Sequence, residues 1–490
     1  MHNRRHHRLS QTAVPAPAAG GQALDERSCG RRSAPCHVAP ALVVALAAVG
    51  TALALALAAG CESEAVRSKG RAPQGVVTIL FSGDDRGVLS ACGCPSNPSG
   101  GFAKRQTVVE EMRRTKPNVL VVDAGDMFHD RPNAMKVKYL AMAVGRAKYD
   151  AVAVGDFEFE LGVPQLRAMA REYKLPLICA NVRDEAGNLV FPPHVVRQVA
   201  GLRVGIFAVI AEGVQGFPPK EWHKGLTVEP PIEAAQREVR DLAGCDLVVA
   251  LSHQPMAGTQ ELARSVPGIQ VVVSGHDETV LRKPVNVGGT VIVGTGAIGR
   301  LLGVLTFNQK PEGHSPKIET ELKGLTAKVQ DSKWVMDLYW EYVKKSKGEP
   351  PPDWDLTPVP AAYESAEQCA KCHETEHKQW LTTRHSHAYD SIKSKGRQDD
   401  PECILCHTMG YGRDGGFISI EKTPDLGRVT CQACHPVSVS HHAEGMKDEP
   451  RFRIDSRLCM SCHGLIESPD FDYAAYTSKI VHHPPEAKKP

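Results

Sequence analysis

Short apolar runs and amphipathic stretches alternate along residues 76–309. The runs 76–81, 119–122, 151–154, 204–209, 247–251 and 271–273 are rich in Val, Ile and Leu and read as strands covered on both faces. Between them, 106–114 and 232–242 repeat apolar residues at helical spacing. This alternation predicts an α/β fold built on a layered sheet. Gly294-Thr-Gly296-Ala-Ile-Gly299 fits a glycine-rich nucleotide-binding pattern, but it leads into the strand-like run 301–307 rather than a helix, so it predicts a turn between strands. Residues 310–355 are charged and predict a linker with one helix around 334–345, ending in Pro350-Pro351-Pro352. In 356–490 apolar runs are scarce, and a small, mostly irregular and helical domain is expected.

The first 60 residues follow another pattern. A basic, Pro/Ala-rich stretch with Arg4, Arg5, Arg8, Arg31 and Arg32 precedes the unbroken apolar run 41–60 and then Cys61. That is the layout of a secretory signal. Its end, Leu57-Ala58-Ala59-Gly60-Cys61, resembles the bacterial lipobox, which implies lipidation of Cys61, with 61–75 as a linker. The alternative is a single transmembrane anchor, because 20 apolar residues at ~1.5 Å rise span a ~30 Å hydrocarbon core. In both readings the Arg-rich side stays inside and the body is exported, held at the membrane on the periplasmic side. A net charge of +2 over 490 residues offers no basic face for nucleic acid.

Fifteen Cys and 21 His exceed what a chain of this length needs for packing, and their positions carry the chemistry. Four five-residue words recur in 356–490: Cys369-Ala-Lys-Cys372-His373, Cys403-Ile-Leu-Cys406-His407, Cys431-Gln-Ala-Cys434-His435 and Cys459-Met-Ser-Cys462-His463. Two thiols about one helical turn apart can add across the two vinyl groups of one haem, and the adjacent His then falls under the iron. Zinc knuckles also use Cys-x-x-Cys but do not require a His after every pair, and export favours covalent attachment of four haems c. Seven further His remain for the sixth iron positions: His377, His385, His387, His441, His442, His482 and His483. Met409, Met446 and Met460 are the weaker candidates.

The words, together with Trp380, His385-Ser-His387-Ala388, Thr408-Met409-Gly410-Tyr411 and Gly415-Gly416-Phe417, resemble the tetrahaem cytochrome c family of nitrifying bacteria over about 130 residues. The resemblance implies electron transfer to a periplasmic or membrane redox partner. It also implies His387 and His441 as distal ligands, with His482 or His483 serving a third haem, and one iron with an open or weakly held site.

In the middle segment polar residues collect after successive strand ends: Gly83-Asp84, Asp123-Ala-Gly125-Asp126, Gly155-Asp156, Ser252-His253 and Gly275-His276. A single Asp at a strand end is usually a helix cap, but carboxylates and imidazoles at five such ends are what a divalent metal requires. With Gly100-Gly101-Phe102-Ala103-Lys104-Arg105, Glu158-Phe159 and Ala180-Asn181-Val182, these blocks resemble the metallophosphoesterases of the 5′-nucleotidase type, which implies an αββα layered domain over 76–309. Where that family has Asp-x-His, this chain has Asp84-Asp85-Arg86. Gly-Asn-His-Glu becomes Gly155-Asp156-Phe157-Glu158, and Gly-His-x-His becomes Gly275-His276-Asp277-Glu278. Carried over by position, Asp126, Asp156, His253 and His276 hold one divalent ion. A second site keeps Asp84 and Asp126, gains Glu278, and has Arg86, whose guanidinium has no lone pair to donate. Phe157 stands where the family's leaving-group acid would be.

Cys92-Gly93-Cys94 lies between the first of these blocks and Gly100. A Cys-x-Cys pair is too short for a relaxed disulfide, which suggests a redox or metal role, with a disulfide to a neighbour as the alternative. The segment resembles a nucleotidase-like group with Cys or selenocysteine in such a loop. Cys179 and Cys245 read as core thiols. The expected function is an exported multihaem cytochrome whose remodelled metal cleft does redox chemistry on a small anionic substrate, with Cys92 and Cys94 as the reacting thiols. An active phosphoesterase with an attached cytochrome, and a non-catalytic scaffold docking a redox partner, are the alternatives.

Overall fold

The computed structural model describes residues 75–91, 98–128, 133–211, 225–309, 316–349, 362–435, 441, 454–464, 468 and 470–482. The signal segment, Cys61, Cys92, Cys94 and His483 lie outside these residues. No helix among the described residues is long and apolar enough to cross a membrane.

Two six-stranded sheets form the centre. The first runs in the order β14 (Lys317–Gly324), β13 (Leu301–Asn308), β1 (Val76–Ser82), β2 (Val119–Asp123), β3 (Ala151–Ala153), β4 (Leu177–Ile178). The second runs β11 (Val285–Val287), β12 (Thr290–Gly294), β10 (Val271–His276), β9 (Leu247–Gln254), β7 (Leu202–Ile210), β6 (His194–Val199). A two-stranded ribbon joins β5 (Val182–Arg183) to β8 (Thr227–Val228).

Side-chain alternation divides the apolar residues into three cores. From β1, Val77, Ile79 and Phe81 point between the sheets, where they meet Val204, Ile206, Val249 and Val273 of the second sheet. Leu80 points the other way, toward α1 (Phe102–Thr115) and α2 (Ala134–Ala147). On the far side, α5 (Pro231–Asp241) and α6 (Met256–Ser265) cover β9 and β10 through Ala234, Ala235, Leu262 and Val272. The two short helices α3 (Asp156–Phe159) and α4 (Val163–Tyr173) follow β3. The arrangement is a layered αββα fold, with a helical segment after it. Gly294 to Gly299 is the turn between β12 and β13 that its sequence context predicts.

Within the linker expected over 310–355, the described residues 316–349 pack onto the domain. β14 extends the first sheet antiparallel to β13 across the full register Leu301↔Gly324 to Asn308↔Lys317. The helix α7 (Lys333–Ser346) buries Val335, Tyr339, Tyr342 and Val343, an i, i+4, i+7, i+8 stripe, in the core that α1 and α2 share. Each fully buried Val or aromatic side chain contributes roughly 1.5–3 kcal/mol. Trp334 donates to Glu110 of α1 at 2.7 Å, and Arg146 of α2 stacks on its ring at 4.4 Å.

The same helix carries the C-terminal segment. Tyr339 donates its hydroxyl to Asp400, Arg397 stacks over the Tyr339 ring at 4.8 Å, and Tyr342 donates to Glu402 at 3.3 Å. Lys136 of α2 pairs with Glu402 at 2.8 Å. Asp400 caps the helix Pro401–His407 by accepting from the Glu402 N–H at 3.1 Å. Around that helix Tyr389, Ile392, Ile404, Met409, Phe417 and Leu426 form a small core of their own. Met409 is buried in this cluster, while Met460 is exposed.

Candidate metal and haem sites

The loops that leave the carboxyl ends of β1, β2, β3, β9 and β10 converge where the two sheets abut. Backbone bonds stitch the first two together: the Asp84 N–H donates to Gly125 O at 2.9 Å and the Arg86 N–H to Asp126 O at 3.0 Å. Glu158, fully buried on α3, accepts the N–H groups of Asp126 (3.0 Å), Met127 (2.8 Å), Phe128 (3.1 Å) and Gly155 (2.7 Å). One carboxylate thus holds the β2 loop against the β3 loop. Asp84, Asp126 and His276 all have positive φ, at 55°, 54° and 78°. Non-glycine residues in that region cost about 1–3 kcal/mol each and persist where the surrounding structure over-determines them, as at functional sites.

The donors meet at His253. Its Nε2 lies 2.8 Å from Asp156 Oδ1 and 3.3 Å from Asp126 Oδ1, and His276 Nδ1 lies 3.3 Å from the same Asp156 oxygen. His253 Nδ1 sits 2.9 Å from the Ala124 carbonyl, a bond that needs the proton on Nδ1 and so turns the Nε2 lone pair to the cleft. Two three-residue groups can hold an ion: Asp156, His253 and His276, and Asp84, Asp126 and His253.

The electrostatics fit a divalent cation. Burial pushes the Asp84 carboxyl up to about 7. Burial and the nearby Asp126 do the same to Glu158, also to about 7. Burial opposes charge on His253, yet Asp126 and Asp156 hold its pKa well above the usual imidazole value. Several carboxylates crowded around one imidazole are a set that a bound cation neutralises.

Glu278, expected as a ligand, belongs to neither group. It pairs with Arg86, whose guanidinium lies 5.3 Å above the Phe157 ring. Behind Asp84, sequence reasoning missed a second feature. Arg105 is fully buried against Asp85 and 3.7 Å from Asp123, and Ser82 donates to Asp123 at 2.6 Å. The sequence marked Asp85 and Arg105 as members of two polar blocks, Asp84-Asp85-Arg86 and Lys104-Arg105-Gln106, and not as a pair. Cys179 is buried and Cys245 half-buried.

In the C-terminal segment the imidazoles of three Cys-x-x-Cys-His words face other imidazoles. Ring centroids are 6.2 Å apart for His373 and His441, 6.2 Å for His463 and His385, and 6.3 Å for His435 and His482. Two imidazoles bound to one metal through ~2.0 Å bonds, with each ring centre ~1.1 Å behind its nitrogen, stand roughly 6.2 Å apart. The spacing of each pair fits an iron held between its two rings. His407 Nδ1 lies 2.7 Å from the Ala388 carbonyl, His482 Nδ1 2.8 Å from Gln379 Oε1, and His463 Nδ1 3.0 Å from Ser468 Oγ. Bonds of that kind fix the tautomer and present Nε2 for ligation. Burial also lowers the pKa of His385 and His463, favouring the neutral ring that ligates. His385, and not His387, occupies the expected distal place: His387 is 66% exposed, 3.7 Å from Asp390. The Trp380 indole holds the neighbouring strand of chain by donating to Val429 O at 3.0 Å, and Val429 in turn donates to His385 O at 3.1 Å.

Comparison with known proteins divides the chain at the same place. Residues 368–436 match the family model for cytochrome c554 and c-prime. The human 5′-nucleotidase is 31% identical over 229 residues, covering 42% of this chain and 38% of the human protein. The mouse 5′-nucleotidase is 33% identical over 199 residues, covering 37% and 33%. The chain therefore spans less than two-fifths of the length of these curated relatives. Among solved structures, a 5′-nucleotidase precursor from Thermus thermophilus aligns at 20% identity with a TM-score of 0.49, covering 66% of this chain and 68% of that one. The chain joins a domain homologous to 5′-nucleotidases to a segment of the cytochrome c554 and c-prime type.

Proposed function

We propose that this chain is an exported, lipid-tethered electron-transfer protein with four haems c and a metal-binding cleft for a small oxyanion. The observation that carries the reading is the set of three imidazole pairs at 6.2–6.3 Å, each beginning in a Cys-x-x-Cys-His word. Cys369 and Cys372, Cys403 and Cys406, Cys431 and Cys434, and Cys459 and Cys462 are the attachment pairs, with His373, His407, His435 and His463 beneath the irons. His441, His385 and His482 would supply a second imidazole to three of them. Bound there, haem supplies one-electron transfer at low potential, and a divalent ion in the cleft polarises a bound oxyanion. Asp126, Asp156, His253 and His276 orient the ion, and the buried Glu158 keeps their loops in register.

Arg397 supports a link between the two halves. It donates to Ser90 Oγ at 2.8 Å, so the chain enters the Cys92–Cys94 loop from a point held against the haem segment. In this reading Cys92 and Cys94 cycle between a strained disulfide and two thiols, the disulfide taking two electrons from the haems and two protons from solvent. A reductive titration is expected to take up two electrons more in the intact protein than in Cys92→Ser/Cys94→Ser.

The decisive measurement is elemental analysis of the purified protein beside its reduced-minus-oxidised visible spectrum. Four haem irons per chain and a separate divalent metal are expected. A colourless protein with zinc on the cysteines would overturn the proposal.

Phosphate-ester hydrolysis is the second reading, favoured by the grouping of Asp84, Asp126 and His253 beside the first set. Phe157 offers no proton to a leaving group, and a missing general acid costs about 10²–10⁴-fold. Weak nucleotide turnover with added Mn²⁺ is expected, and robust turnover would restore the hydrolase.

A further inference from the structure

Two three-residue groups in the cleft can each hold an ion, but they share His253. An imidazole with Nδ1–H has one lone pair, and His253 Nδ1 is engaged with the Ala124 carbonyl. Only Nε2 can ligate, and it can serve one ion. It lies nearest Asp156, at 2.8 Å, and His276 approaches the same carboxylate oxygen at 3.3 Å. Given to that ion, His253 leaves the other group with two carboxylates and no nitrogen donor. One of the two, Asp84, already accepts the His276 N–H at 2.7 Å.

Beside this depleted group the further carboxylate expected as a ligand, Glu278, is held in an ion pair. Arg86 comes from the loop after β1, Phe157 from the start of α3 and Glu278 from the loop after β10. The guanidinium is paired with Glu278 and rests 5.3 Å above the Phe157 ring. Arg86 and Glu278 both have positive φ, 50° and 53°, so the backbone itself is bent to bring them together. Phe157 is tied to the metal donors, because its N–H donates to Asp126 Oδ1 at 3.1 Å. Residues from two loops and the first turn of α3 therefore form one packed, charge-balanced unit. Guanidinium stays protonated at any working pH and has no lone pair, so Arg86 neutralises Glu278 and withdraws that carboxylate from ligation while offering no donor of its own.

We propose that the Arg86–Glu278 pair on Phe157 takes the place of a second metal ion, and that the cleft is mononuclear, with Asp126, Asp156, His253 and His276 around a single divalent ion. The inference rests on the reading of this cleft as a metal site. It departs from the two-metal pattern that the sequence resemblance implies.

The test uses the full-length haem-loaded protein, dialysed against Mn²⁺. Manganese is counted by elemental analysis, with haem iron counted separately in the same sample, and the Mn²⁺ electron paramagnetic resonance spectrum is recorded. One manganese per chain is expected, with the hyperfine pattern of an isolated ion. Arg86→His/Glu278→His is expected to raise the count toward two and to broaden the signal through exchange coupling. Two manganese ions in the unaltered protein, or a coupled signal from it, would overturn the inference. A folded double variant that still binds one would overturn the role of the ion pair. Should the variant fail to fold, judged by its haem spectrum and melting temperature, the count and spectrum of the unaltered protein decide alone. A protein with one manganese and no haem would refute the electron-transfer reading and leave this inference standing. One with haem and no manganese would remove the cleft and the inference together.

Discussion

Single residues divide the labour of the cleft in a way that substitutions can separate. In the proposed metal site His253 and Asp156 would hold the ion, and His253→Ala is expected to abolish its uptake, read by elemental analysis, while leaving the haem spectrum unchanged. Glu158 belongs to neither group of candidate ligands but gathers four N–H groups. Glu158→Gln replaces one acceptor oxygen with a donor facing donors, at a cost of roughly 2–4 kcal/mol in thermal stability. The metal-free cleft also binds protons, since the Asp84 carboxyl sits at about 7 and His253 well above its usual value. A divalent ion ligated by His253 must displace the proton on its Nε2, so apparent affinity is expected to rise with pH, about tenfold per unit while that proton is bound. Titration calorimetry in buffers of different ionisation enthalpy would count the protons released. In the haem segment, His385→Ala is expected to convert one low-spin haem to high spin, and His387→Ala to leave the spectrum as it was. The two residues stand in one short turn, Arg384–His387, and spacing alone could not say which ring faces inward. Nor could it pair Arg86 with Glu278, which meet only when loops from opposite sheets converge.

At the scale of elements, α7 is the piece most easily misjudged. Its helical period was visible in the sequence, but its aromatic residues are interleaved with charges, and the surrounding composition resembles a solvated connector. β14 was harder to see. Its alternation, Lys317-Ile-Glu319-Thr-Glu321-Leu-Lys323-Gly, places charges on an exposed edge, a device that discourages pairing with other chains and also erases the hydrophobic signal of a strand. The buried strands, by contrast, could be read directly, because covering on both faces forces apolar runs. A chain ending at Gly324 is expected to aggregate, since it would uncover the core that Val335, Tyr339, Tyr342 and Val343 complete, whereas one ending at Glu349 keeps that core. Solubility and melting temperature would distinguish them. Tyr339→Phe keeps the packing and removes only the hydroxyl given to the buried Asp400. A loss of roughly 1–3 kcal/mol is expected, the penalty of a buried acceptor left short of a donor.

Over the whole molecule, the chemistry was more legible than the boundaries. The repeated Cys-x-x-Cys-His words and the polar residues at strand ends announce themselves by type and spacing, whereas the join between the halves depends on contacts among residues far apart in sequence. Membrane attachment through Cys61 has its own test: Cys61→Ser is expected to move the protein from the membrane fraction to the soluble exported fraction. The pairing of β1 with β13 has a temporal consequence. The sheet's central strand begins at Val76, yet its partner along one edge ends at Asn308. During synthesis β1 must wait with that edge bare until nearly the entire domain has been made, so folding ends with a late stitch between the first strand and one of the last. High contact order of this kind slows folding and prolongs exposure to aggregation. Chaperone occupancy early in the chain, released only once residue 308 has emerged, is the behaviour such a topology demands.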